Sequence, residues 1–191
     1  MIAHPVAVMI KDSTQQLHKD VEDLLLPKLA AIENKNDYAA ILRMFYGYFS
    51  PLENLLQQFV TPALLPDVAE RRKADALLHD LRSLKSEGAD LTLCEALPLI
   101  ENEAQAMGAL YVLEGSTLGG KTIAKMLRQN KALALTDNEL TFFMGYKEET
   151  GSKWKAFLQV LNQQQDADQT IVAANQTFYH MKNWMQRFYH G

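Results

Sequence analysis

Between Tyr38 and Val60 the residues Ile41, Leu42, Phe45, Tyr48, Phe49, Leu52, Leu55, Leu56 and Phe59 return every three or four positions. That spacing lays them on one broad helical face, which must be buried against other elements. Similar patterns recur along the chain, and no apolar–polar alternation lasts more than a few residues, so a sheet has little to be built from. Composition agrees: Leu plus Ala number 50, against 15 for Val plus Ile. Unbranched side chains keep their rotamer freedom in a helix, whereas β-branched ones favour strands.

Prolines and loop residues punctuate the patterns. Helices are predicted over Val6–Leu26, stopping against Pro27, and over Tyr38–Val60 with Asp37 as N-cap. A third is expected from Pro66 to about Ser86, followed by a loop at Glu87–Asp90. A fourth starts near Cys94 or Pro98 and continues to Arg128, interrupted by glycines. Shorter segments follow at Thr136–Met144, Glu148–Gln164 and Asp168–Phe188. The expected architecture is all-α, one domain over residues 1–191, with about seven helices.

Charge and cysteine content narrow the function. A net charge of −4 gives no electrostatic case for nucleic-acid binding. The single cysteine, Cys94, excludes an internal disulfide framework and a cysteine-cluster metal site. No stretch approaches the ~20 apolar residues of a membrane span. The opening MIAHPVAVMIKDST lacks a basic segment and a small-residue cleavage site, so a cytoplasmic protein without a membrane anchor is expected.

Two local features carry chemistry. Residues 115–122, GSTLGGKT, satisfy the phosphate-loop pattern G-x-x-x-x-G-K-[ST]. That loop must leave a parallel strand and open a helix, and it needs a further strand bearing an aspartate for Mg²⁺. Ala109–Leu113 is the only candidate strand, so a nucleotide hydrolase is a weak reading. Alternatively, Gly108, Gly115 and Gly119 fall on one helical stripe. Each glycine costs about 1 kcal/mol of helix propensity relative to Ala. Such a stripe implies a compensating gain, either close helix packing, favoured on spacing alone, or close approach of a flat ligand to the backbone. Paired Gly119-Gly120 suggests a bend.

The second feature is His18, with Glu22 one turn later and Lys11 roughly on the same face. A ligating histidine usually hydrogen-bonds through its other ring nitrogen, here to Glu22 or to the Thr14 carbonyl. An ordinary amphipathic surface is the commoner origin of such a pair. His4, His79, His180 and His190 form no cluster that would complete a metal site. One histidine without a second ligand suits a metal that brings its own equatorial ligands, as heme iron does.

Three stretches together resemble the heme oxygenase family, especially the bacterial forms associated with bacteriophytochrome pigment synthesis. They are residues 11–22 (KDSTQQLHKDVE), residues 110–120 (LYVLEGSTLGG) and, more weakly, residues 153–157 (KWKAF). The resemblance spans most of the chain. It implies an all-helical fold that sandwiches heme between the first helix and a distal helix. It also implies His18 as iron ligand with Glu22 beside it, and Gly115, Gly119 and Gly120 on a distal helix bent over the heme. Lys11 and Lys155 match positions that hold the propionates, and Tyr111 lies near a distal tyrosine position. Animal members carry an aspartate after the first distal glycine, where this chain has Ser116. The bacterial subgroup shares the Gly-Ser pattern, and Ser116, Thr117 or other groups are then expected to hold ordered water.

The implied reaction is O₂- and reductant-dependent cleavage of heme, both substrate and cofactor, to biliverdin, CO and Fe²⁺. The implied partners are a ferredoxin or flavoprotein reductase and a downstream bacteriophytochrome. A heme-binding or heme-delivery protein of the same fold is the alternative within the resemblance.

Overall fold

The computed structural model describes residues 5–86 and 91–190, apart from the side chain of His190. The loop expected at Glu87–Asp90, His4 and the imidazole of His190 lie outside the described residues. Seven α-helices follow in order: α1 (Val6–Ala30), α2 (Lys35–Leu56), α3 (Asp75–Ser83), α4 (Glu103–Gln129), α5 (Thr141–Met144), α6 (Thr150–Leu161) and α7 (Ala167–His190). Single turns of 3₁₀ helix occupy Val68–Glu70, Asp137–Glu139 and Lys147–Glu149. No strand occurs among the described residues, so the all-α expectation holds.

Several boundaries differ from the sequence expectation, each for a physical reason. Helix α1 runs through Pro27 to Ala30. The proline removes a single N–H near the helix end, and burial of Leu25, Leu29 and the following Ile32 outweighs that loss. The N-cap of α2 is Asn34. Its side chain accepts from the N–H groups of Asn36 and Asp37, while the Asp37 carboxylate accepts from the Asn34 N–H, closing a capping box.

The third helix begins only at Asp75, because the preceding chain takes another course. Arg71 is extended (φ −76°, ψ 148°), and the Ala74 N–H is held by the Glu53 carboxylate at 2.8 Å. Helix α4 begins at Glu103, capped by Asn102, rather than near Cys94 or Pro98. The Cys94 N–H donates instead to the Gly47 carbonyl at 2.7 Å, and Gly47 leaves room for the Thr92 carbonyl. From there α4 runs unbroken through the glycines. Gly145, with φ of +53°, turns the chain after α5, and α6 starts at Thr150 behind a 3₁₀ turn.

Helix α7 is the common support. Along α1 it pairs Asn175 with Ser13 at 2.8 Å and Lys182 with Asp20 at 2.7 Å. Along α2 it receives the Tyr48 hydroxyl at the Thr177 carbonyl and gives the Trp184 N–H to the Met44 carbonyl. Against α4 the Thr170 carbonyl seats on Gly108, where a Cβ would stand 2.1 Å away. Helices α1 and α4 thus both lie along α7 without substantial packing on each other. On the far side of α4, Phe142 and Phe143 of α5 interlock with Phe45 and Phe49 of α2.

Candidate functional site

The α1 side of the site is exposed. The His18 side chain is 58% exposed, and its Nε2 stands 3.5 Å from Glu22 Oε1. The ring leans on Phe178 of α7 at a centroid distance of 5.4 Å. Neither ring nitrogen is held by a hydrogen bond among the described residues, so the Thr14 carbonyl, one of the two expected acceptors, is not used. The imidazole is therefore accessible to a ligand, with one carboxylate near enough to orient it. Lys11 on α1 and Lys155 on α6 are also exposed, and neither forms an ion pair among the described residues.

On α4 the glycines divide by what their missing side chains serve. Gly108 accommodates α7, as above. Gly120 accommodates α5, since a Cβ there would stand 2.2 Å from the Phe143 carbonyl oxygen. A Cβ on Gly115 would make only ordinary contact with Trp154, at 3.7 Å, and one on Gly119 would meet nothing within 4 Å. Of the three glycines that the resemblance places on a helix over the heme, Gly120 has its missing side chain taken up by packing against α5, and Gly119 is left open. Leu118 beside it is 47% exposed. Tyr111, half-buried, packs its ring on Trp154 at 5.4 Å, beside Gly115.

The two hydroxyls expected to hold water have their protons engaged elsewhere. Ser116 Oγ donates to the Leu113 carbonyl at 2.6 Å and accepts from Arg72 Nη2 at 2.7 Å. Thr117 is buried and donates to the Glu114 carbonyl at 2.7 Å. The phosphate-loop reading fails here. Residues 115–122 lie inside α4, Ala109–Leu113 is helix, and Lys121 reaches only toward Glu148, at 3.7 Å.

Behind α4 lies a polar cluster that the sequence did not announce. Glu114, 3% exposed, accepts from Arg71 Nη1 at 2.6 Å and from the Tyr146 hydroxyl at 2.9 Å. Arg71 also bonds Asp67 at 2.9 Å, and Lys153 bridges Asp67 and Glu70 at 3.0 and 2.9 Å. With Arg72 the cluster sets three cations against three carboxylates, so its charge closes. Burial pushes the Asp67 carboxyl upward, but Lys153 and Arg71 outweigh it and leave it below the usual range. Burial raises the Tyr146 hydroxyl, and the neighbouring Glu114 charge raises it further, so it stays a neutral donor. Burial lowers the Arg72 guanidinium from its ordinary value.

The available signal was Glu114 itself, a carboxylate in an otherwise apolar run. Its partners Arg71 and Tyr146 lie 43 and 32 residues away. The structure therefore gathers Gly115, Tyr111 and Trp154 in one group and His18, Glu22 and Phe178 in another. No hydrogen bond or ring contact joins the two among the described residues. Two cavities, of about 650 and 580 Å³, lie elsewhere and are not lined by these residues.

Comparison with known proteins bears on this arrangement. A family model described as heme oxygenase matches residues 4–187. A heme oxygenase of Xanthomonas campestris pv. campestris is 34% identical over 129 residues, covering 66% of this chain and 72% of that protein. The heme oxygenase PigA of Pseudomonas aeruginosa is 30% identical over 161 residues, covering 78% of this chain and 73% of that protein.

Proposed function

We propose, from the premise that this chain belongs to the heme oxygenase family, that it cleaves heme to biliverdin, CO and Fe²⁺ between α1 and α4. The observation that carries this placement is Gly119. It is the α4 glycine whose missing side chain serves no neighbour among the described residues, and a flat ligand against the backbone accounts for it.

Heme supplies the redox chemistry, as substrate and cofactor together, with O₂ as co-substrate. The chain supplies position. His18 offers its imidazole to the iron, and Glu22 orients the ring by accepting from its other nitrogen. Gly119 and Gly115 let the porphyrin lie close to the α4 backbone. Tyr111 and Trp154 supply apolar wall next to Gly115. Lys11 and Lys155, exposed and without an ion pair among the described residues, are cations for the propionates. By fixing the in-plane rotation they select the carbon that is attacked. The reductant is a ferredoxin or a flavoprotein reductase, the compartment is the cytoplasm, and a bilin-binding bacteriophytochrome is the consumer of the product.

Titration with hemin, followed by reductant in air, tests this reading. A Soret band should appear, then give way to biliverdin absorbance. A stable Soret band without biliverdin under turnover conditions would instead indicate heme carriage. His18→Ala should lose the wild-type ferric spectrum and most turnover, and added imidazole should partly restore the spectrum. An unchanged spectrum and rate in that variant rule out His18 as the ligand.

A further inference from the structure

We propose that Arg72 is a positioning residue that holds the Gly115–Gly119 stretch of α4 in place over the ligand face; this rests on the heme reading of that face. The argument starts from the glycines. A helix carrying several of them is locally soft, so outside contacts must fix where its backbone stands. Around Gly115 those contacts converge on one guanidinium. Arg72 Nη2 donates to the Leu113 carbonyl at 2.9 Å and to Ser116 Oγ at 2.7 Å. Ser116 Oγ donates in turn to the same carbonyl. The Leu113 carbonyl thus receives two side-chain donors, and the hydroxyl of Thr117 adds a third local bond at the Glu114 carbonyl. Side-chain bonds of this kind compete with the helix's own ladder for its carbonyls, so they fix where this turn stands.

Arg72 is fixed from behind. Its guanidinium lies over the Phe142 ring, 4.2 Å from the centroid, and its backbone N–H donates to the Tyr146 hydroxyl at 2.9 Å. That hydroxyl bonds Glu114, so the backbone of Arg72 is tied to the same turn of α4 that its side chain grips. The adjacent Phe143 carbonyl seats on Gly120. Helix α4 is therefore held at residues 113–117 and again at 120, with Gly119 open between the two grips. Arg72 Nη1 also donates to the Phe142 carbonyl of α5 at 3.4 Å, so the guanidinium spans α4 and α5 with two nitrogens, whereas a lysine keeps the charge on one nitrogen and cannot serve both sides at fixed geometry.

Amide hydrogen exchange of the heme-free protein reads the grip without any chemistry. In Arg72→Lys, exchange across residues 113–120 should rise at least tenfold while exchange in α7 stays at the wild-type rate. With hemin, kcat should fall at least tenfold and the biliverdin isomer ratio should change, while hemin affinity stays within about threefold. Ser116→Ala removes one acceptor of the guanidinium and should give a smaller change in the same direction. The double variant should then fall short of the product of the two single effects. If Arg72→Lys does not fold, Ser116→Ala alone decides, through local exchange and isomer ratio. Unchanged exchange at 113–120, or a loss spread evenly over the whole molecule with no change in isomer ratio, overturns the assignment. Absence of a Soret band in the wild type overturns the heme reading itself, while the exchange result still decides whether Arg72 holds the turn.

Discussion

Two adjacent glycines should respond to the same substitution with opposite signs. At Gly119 an added Cβ meets nothing within 4 Å. Gly119→Ala in the heme-free protein then gains only helix propensity, about 0.8–1 kcal/mol. For a chain of this length that raises Tm by roughly 2–4 °C. At Gly120 the added Cβ would stand 2.2 Å from the Phe143 carbonyl oxygen and 3.1 Å from its carbon. Both atoms are backbone and cannot rotate away, so α4 and α5 must separate by about an ångström. Overpacking of this kind costs about 1–3 kcal/mol. The same propensity gain offsets part of it, so Gly120→Ala should lower Tm by a few degrees. The ligand side is read with Gly119→Leu, which should leave the heme-free fold intact and weaken hemin binding at least tenfold, about 1.4 kcal/mol. Thermal melts of the heme-free proteins and hemin titrations measure both arms. Equal destabilisation by alanine at the two positions would mean that the whole stripe serves helix packing. Wild-type hemin affinity in Gly119→Leu would remove α4 from the ligand face.

Arg71→Met strips Glu114 of its cation while leaving it buried, which costs about 3–5 kcal/mol. Urea titration should report that loss, and a change under 1 kcal/mol would show that the pair contributes little. Lys11→Ala and Lys155→Ala should shift the biliverdin isomer ratio more than hemin affinity, because an exposed ion pair contributes only about 0–1 kcal/mol; isomer ratios identical to wild type in the double variant exclude both lysines from orienting the heme. Asp67 is depressed in the fold from its ordinary 3.8, so its contribution is present above that value and is lost as pH falls below it. Melting temperature plotted against pH should therefore fall less steeply below about pH 4 in Asp67→Asn than in the wild type; parallel curves would show that the network does not depend on this ionisation.

What was legible in the sequence follows from the range of the forces involved. Helix type is set by spacing within a few residues, so α2 and α7 could be read directly from Ile41–Phe59 and the run after Asp168, whereas α4 was expected to start near Cys94 or Pro98 and to be interrupted by its glycines. Helix ends were less legible. Asn34 and Asp37 are both good capping residues, and only the reciprocal bonds show which one caps and which closes the box. Resemblance pointed to His18 and to the glycines, yet a glycine letter records only that a Cβ is missing and not which neighbour needs the space. That Gly120 serves Phe143 while Gly119 serves no protein atom depends on where α5 docks, a contact about two dozen residues along the chain. Ser116 is the same kind of case. Its hydroxyl can serve the ligand face or the helix behind it. Its rotamer is decided by Arg72, 44 residues earlier, and by a buried charge cluster whose members meet only after the helices have packed. Local periodicity is written in the chain because neighbouring residues must share a helix. The commitment of each polar group is not, because a buried donor is satisfied by whichever acceptor the finished fold brings within reach.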